Sequence, residues 1–120
     1  MKKILVVDDE PDVRLSISQV LELSGYTVVQ AVNGVDCLDK LQETVPDLIV
    51  LDIMMPKMNG WDVAAQIKGH PKWKDIPIVF LTAKGDDVSI GMGNLAAVDY
   101  IVKPFDIMDF MQRIEKILIK

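Results

Sequence analysis

The 120-residue sequence has a single cysteine, Cys37, and a single histidine, His70. One thiol excludes an internal disulfide and fits a reducing compartment. Cys37 itself reads as a small helix residue and not as a nucleophile. Lys and Arg never run longer than the pair Lys2-Lys3, and the net charge is −5. Clustered positive charge is what a nucleic-acid backbone or an anionic membrane needs, so neither is expected as a direct partner. Long apolar runs are missing as well. After Met1-Lys2-Lys3 only four apolar residues precede Asp8, too few for a signal peptide or a membrane span, and a cytoplasmic location is expected. There is no repeat, linker or low-complexity segment. Half of the residues (50%) are hydrophobic, which at this length supports one domain over residues 1–120 and not two.

What is present is an alternation of short apolar runs with stretches of helical period. Ile4–Val7, Leu48–Leu51 and Ile78–Leu81 are continuous apolar runs, as expected of parallel strands covered on both faces. Tyr26–Gln30 and Asp99–Val102 are more mixed and suit sheet edges. The first helix is predicted from Pro11 to about Gly25, with Val13, Ile17, Val20, Leu21 and Ser24 on its inner face. A second begins at Asn33 with Val35, Leu38 and Leu41 inward, and a third spans Gly60–Lys68, closed by Gly69. A fourth, about 87–97, contains Gly91 and Gly93, each costing ~1 kcal/mol against Ala, and is expected to be short or mobile. The fifth runs from Phe105 to Ile119 with Met108, Met111, Ile114 and Leu118 inward.

Five β-α pairs in strict alternation imply an α/β fold, an open parallel sheet with helices on both faces. Ligands of such sheets bind beyond the carboxyl ends of the strands. The residues at those ends are Asp8-Asp9-Glu10, Asp52, Thr82-Ala83 and Lys103-Pro104. Two carboxylates ~4 Å apart repel by several kcal/mol at an effective dielectric of ~20, so crowded acids need a proton or a cation between them. An all-oxygen set without His or Cys favours a hard ion such as Mg²⁺, which joins carboxylates to phosphate. Asp52, alone at the end of a central strand, is then the candidate nucleophile for a phosphoryl group. Asp8 and Asp9 are metal-side acids, Lys103 a charge clamp, and Thr82 a hydroxyl donor to a phosphoryl oxygen.

The segments VVDDEPDVR, LIVLDIMMPKMNG, IPIVFLTA and DYIVKPF occur in that order over essentially the whole chain. Thr82 follows Asp52 by 30 residues, and Lys103 follows Thr82 by 21. With these motifs the chain resembles a receiver domain of two-component response regulators, the CheY-like family. The resemblance implies a flavodoxin-like (βα)5 fold with a five-stranded sheet of order 2-1-3-4-5, one of the standard doubly wound arrangements. It implies phosphoryl transfer to Asp52 from a phosphohistidine of a sensor histidine kinase or a phosphotransfer protein. It also implies Mg²⁺ bound directly by Asp9, Asp52 and the backbone carbonyl of Met54, with Asp8 holding a metal-bound water. Thr82 and Tyr100 become switch residues, Lys103 bonds the phosphoryl group, and the Lys103-Pro104 bond is expected to be cis. The protein would catalyse its own phosphorylation and dephosphorylation while serving primarily in signalling. Its reader would be a downstream protein or output domain at the fourth and fifth helices, a face that also suits a homodimer. No output domain is expected within these 120 residues, which suits either a stand-alone regulator or a receiver that is part of a longer protein.

Simpler readings exist for several residues. Asp9 before Pro11 suits a helix N-cap, Tyr100 suits strand packing, and His70, Trp61 and Trp73 read as loop and packing residues. Ala96 and Val98 stand where the family usually has Gly and Asp, and the resemblance implies that Met54 and Lys84 occupy positions that in the family tune the dephosphorylation rate. A phosphorylation-independent interaction module would normally lack Asp52, an acid of the pair or Lys103, and all are present. A flavodoxin-type electron carrier needs a Ser/Thr-Gly phosphate loop where this chain has three acids. An aspartyl-nucleophile phosphatase would carry its nucleophile after the first strand, unlike Asp52.

Overall fold

The computed structural model describes residues 2–55, 58–83 and 99–119. The expected fourth helix with Gly91 and Gly93, and the positions Pro56, Lys84, Ala96 and Val98, lie outside them. The strands are β1 (Lys3–Val7), β2 (Thr27–Ala31), β3 (Leu48–Asp52), β4 (Ile78–Ala83) and β5 (Asp99–Lys103). The helices among the described residues are α1 (Pro11–Leu23), α2 (Gly34–Glu43), α3 (Gly60–Lys68) and the C-terminal helix α4 (Ile107–Leu118). All strand pairs are parallel, in the order β2-β1-β3-β4-β5, which is the flavodoxin-like arrangement expected. The two mixed strands, β2 and β5, are indeed the edges. Among the described residues no helix is long and apolar enough to cross a membrane.

Successive strand side chains point to opposite faces, so each apolar run feeds two cores at once. Leu5, Val7, Ile49, Leu51, Ile78 and Phe80 pack with Cys37 and Leu41 of α2 and with Val63, Ala64 and Ile67 of α3. Ile4, Val6, Leu48, Val50, Val79, Leu81 and Ile101 pack with Ile17 and Leu21 of α1 and with Phe110 and Ile114 of α4. Each fully buried Leu, Ile or Phe contributes ~1.5–3 kcal/mol. A polar residue within these runs would forfeit that burial on one face, which is why they are unbroken.

Local signals set the helix ends. Gly25 has φ +97°, and its N–H and that of Tyr26 donate to the carbonyls of Glu22 and Leu21, closing α1 in a Schellman turn. At α2 the Asn33 side chain accepts from the Asp36 N–H at 2.8 Å, while Asp36 accepts from the Val32 N–H at 2.9 Å. Asn59 caps α3, and Asp106 caps α4, which starts at Ile107 and not at Phe105.

The helix faces differ from expectation in three places. Ser24 is exposed, and Ser18 is buried in its stead, its hydroxyl donating to the Arg14 carbonyl at 2.7 Å. Val35 is 52% exposed while Cys37 is buried, because α2 meets α3 at Gly34, where a Cβ would come within 2.7 Å of Val63 Cγ2. Met108 is 69% exposed, and Phe110 fills the core position beneath α4.

Candidate functional site

The carboxyl ends of β1, β3, β4 and β5 meet at one rim. Val7 pairs with Leu51 and Asp52 with Leu81, while Thr82 pairs with Val102 and Ala83 with Lys103. Asp8 and Asp52 therefore leave adjacent strands side by side. Thr82 stands on the next strand and Lys103 on the one beyond it.

The Lys103 side chain reaches back across β4. Its ammonium lies 3.1 Å from Asp8 Oδ2, 3.3 Å from Asp52 Oδ2 and 3.6 Å from Glu10 Oε1. Asp8 is fully buried and Asp52 is 3% exposed, so one cation faces two acids removed from water. Burial pushes the Asp52 carboxyl up to about 7, and the charge of Asp8 acts in the same direction, against Lys103 and the Met54 N–H. Desolvation pulls the Lys103 ammonium down, but the charges and hydrogen bonds of Asp8 and Asp52 hold it above its usual value. The Lys103-Pro104 peptide is cis, as the resemblance implied.

Backbone donors orient both acids. Asp8 Oδ1 accepts from the Glu10 N–H at 2.9 Å, and Asp52 Oδ1 accepts from the Met54 N–H at 3.2 Å. After β3 the chain returns on itself, and the Gly60 N–H donates to the Ile53 carbonyl at 2.7 Å. A Cβ on Gly60 would sit 2.6 Å from the Asp52 carbonyl oxygen and 2.7 Å from Ile53 Cα. Only glycine lets α3 begin against the strand end that carries Asp52. The Met54 side chain over this return is exposed. Thr82 is buried, and its Oγ1 has no hydrogen-bond partner among the described residues, an uncommon state for a buried hydroxyl.

Carboxylate oxygens of Asp8, Glu10 and Asp52 lie within 4.8 Å of one another. An all-oxygen set with two buried members suits a hard cation. Asp9 is half-buried and stands outside this group. Nor is it the N-cap of α1: that position is Glu10, whose side chain makes no cap bond. Glu10 was visible in the run of three acids, whereas Arg14 carried no sequence signal at all. Arg14 Nη1 donates to the Asp8 carbonyl at 2.8 Å and its Nε to Gln30 Oε1 at 3.1 Å, tying the acidic turn to β2. A bond from a side chain to a main-chain carbonyl leaves no residue pattern to read.

Tyr100 is half-buried, its ring stacked on Phe80 at 5.5 Å and tilted against Trp61 at 6.4 Å, and burial raises its phenol. Trp61 lies 4.7 Å from Phe80, next to the return after Asp52. His70 stacks on buried Trp73 at 3.7 Å, in keeping with a packing role.

The family model of the response regulator receiver domain matches residues 4–115. The chain is 42% identical over 118 residues to the alkaline phosphatase synthesis transcriptional regulatory protein PhoP of Bacillus subtilis, covering 98% of this chain and 48% of that protein. It spans about half the length of the curated relatives it matches. It is similar in structure to the chemotaxis response regulator CheY4 of Vibrio cholerae, at 29% identity and a TM-score of 0.90, covering 98% of this chain and 99% of that one. It is also similar to the response regulator protein TrrA of Thermotoga maritima in complex with Mg²⁺ and BeF, at 38% identity and a TM-score of 0.82, covering 98% and 100%.

Proposed function

The chain belongs to the family of response regulator receiver domains, and on that premise we propose that it is a phosphorylation-driven signalling switch whose acceptor is Asp52. The observation that carries this reading is the Lys103 ammonium held between two buried carboxylates, 3.1 Å from Asp8 and 3.3 Å from Asp52. Such a charge is aimed where a phosphoryl oxygen arrives if Asp52 is the nucleophile. A carboxylate oxygen of Asp52 attacks the phosphorus of a phosphohistidine on a sensor histidine kinase or phosphotransfer protein. The O–P bond forms as the N–P bond breaks, and the imidazole keeps the electron pair. Lys103 then bonds a phosphoryl oxygen. The Thr82 hydroxyl, unpartnered among the described residues, moves to donate to a phosphoryl oxygen, and Tyr100 turns further inward behind it.

The residues that would hold Mg²⁺ are Asp8, Asp9, Asp52 and the Met54 carbonyl. The crowding of oxygen donors within 4.8 Å supports this, as does the Mg²⁺ and BeF complex of the related TrrA. Asp9 lies outside that group and would have to move toward it to become a ligand. Mg²⁺, when bound, would screen the carboxylates from one another and hold a phosphoryl oxygen.

The domain spans residues 1–120 in this reading, works in the cytoplasm, and also hydrolyses its own acyl phosphate slowly. The signal is a shift between two conformations, read by a downstream protein or output domain at the face that ends in α4, where a homodimer also fits. The test is the intact mass of the native chain and of Asp52→Asn after brief exposure to a small phosphodonor with Mg²⁺. A gain of one phosphoryl group by the native chain alone, abolished by a chelator, is expected. No gain in either chain, together with no beryllofluoride response of Trp61 fluorescence in a Trp73→Phe background, would overturn it.

A further inference from the structure

Glu10 lies within 4.8 Å of the Asp8 and Asp52 carboxylates, yet it is the one acid of that group outside the proposed acceptor and Mg²⁺-holding set. It occupies the N-cap position of α1, yet its side chain makes no bond to the helix. Its N–H is pinned to Asp8 Oδ1 at 2.9 Å, which sets the residue beside the buried acid. Its carboxylate turns to Lys103 instead, at 3.6 Å. The ammonium is thus met by three carboxylates of unequal mobility. Asp8 and Asp52 are buried and held by backbone donors, whereas the Glu10 side chain is 62% exposed and bonded at no other point among the described residues. Of the three, Glu10 is the one that solvent can take.

We propose that Glu10 is a rate-setting competitor for Lys103. In the unphosphorylated protein its carboxylate covers the outer side of the ammonium, and an incoming phosphoryl group must displace it. The proposal rests on the reading of Asp52 as acceptor. A carboxylate and a phosphoryl oxygen are both anionic partners for an ammonium, and they compete for its open, solvent-facing side. The competitor is weak because it is exposed, which suits a group that slows loading without preventing it.

The experiment compares loading rates of the native chain, Glu10→Gln, Glu10→Asp and Asp12→Asn with acetyl phosphate at saturating Mg²⁺. In that reaction the bond from phosphorus to the acetyl oxygen breaks, the bond to an Asp52 oxygen forms, and acetate leaves with the electron pair. Asp12→Asn removes the same charge from the first turn of α1, at a residue with no ion pair to Lys103 among the described residues, and so reports the general field. Glu10→Gln is expected to load about two- to fivefold faster than Asp12→Asn, the range for losing one exposed ion pair. Glu10→Asp keeps the charge but is one methylene shorter and caps the helix, so it too is expected to load faster than the native chain. Mg²⁺ affinity, followed by fluorescence titration, is expected to stay within twofold of native in both Glu10 variants.

Equal rates for Glu10→Gln and Asp12→Asn would overturn the proposal. So would slower loading with weaker Mg²⁺ binding, which would make Glu10 a metal-side acid. If the native chain takes up no phosphoryl group and shows no beryllofluoride response, the acceptor reading itself falls, and this one with it.

Discussion

Replacing Asp52 by Asn is expected to stabilise the metal-free protein. The carboxyl is 3% exposed, next to fully buried Asp8, and Lys103 is shared between them. Burial, with Asp8 in second place, carries its pKa from an ordinary 3.8 to about 7, a span worth roughly 4 kcal/mol of strain once the group is ionised. Because the folded value lies above the unfolded one, Asp52 favours the folded chain most below pH ~4. That contribution is lost as pH rises through ~7. Asn cannot ionise and keeps an oxygen acceptor for Met54 and Lys103, so it escapes the loss but gives up part of the attraction to the ammonium. The net gain at pH 8 is expected at about 1–3 kcal/mol, or roughly 3–10 °C in Tm for a chain of this length. Near pH 4 the gain should vanish. Thermal unfolding of both chains in chelator from pH 4 to pH 8 measures this directly. Added Mg²⁺ should narrow or invert the gap, since ten times Kd of a ligand that binds only the native fold adds about 1.4 kcal/mol. A variant less stable than native at pH 8 in chelator would refute the reasoning, for it would mean that Lys103 and the Met54 N–H more than offset burial.

Three other substitutions test separate parts of the fold and site. Gly25→Ala is expected to lower stability by ~1 kcal/mol, measured by urea unfolding, because φ is +97° and nothing lies within 4 Å of the new Cβ, leaving backbone strain as the sole cause. Gly60→Ala forces a Cβ to within 2.6 Å of the Asp52 carbonyl, so it is expected to abolish phosphoryl uptake in the mass assay while the α1–β2 half of the sheet keeps its amide protection. Lys103→Met leaves Asp8 and Asp52 without their shared cation. It is expected to destabilise the metal-free chain by a few kcal/mol at pH 8, with most of the loss recovered at pH 4, and to stop loading without weakening Mg²⁺ binding. Calorimetry and Mg²⁺ titration read both effects.

The sheet was legible in the sequence because its physics is one-dimensional. A parallel strand covered on both faces must be apolar at every position, so Ile4–Val7, Leu48–Leu51 and Ile78–Leu81 announce themselves, and the mixed strands fall at the edges. Helix faces are harder, since on a short helix two neighbouring stripes satisfy the same period and the packing partner chooses between them. In α2 the steps Val35-Leu38-Leu41 and Gly34-Cys37-Leu41 both repeat every three or four residues. The second is buried because its first member has no side chain, and Val63 occupies the space that a side chain would take. Counting apolar residues cannot find a contact made by an absent Cβ. The same holds at the rim. Spacing brings Asp8, Asp52, Thr82 and Lys103 together because each is the next residue or two along a strand whose register is fixed. Past the strand end that guide stops, and Asp9 and Glu10 are equivalent on paper. What separates them is one backbone bond: the Asp8 carboxylate takes the Glu10 N–H and sets that residue beside Lys103, while half-buried Asp9 stands outside the group of carboxylates. The same bond makes Glu10 the acid able to exchange places with a phosphoryl group.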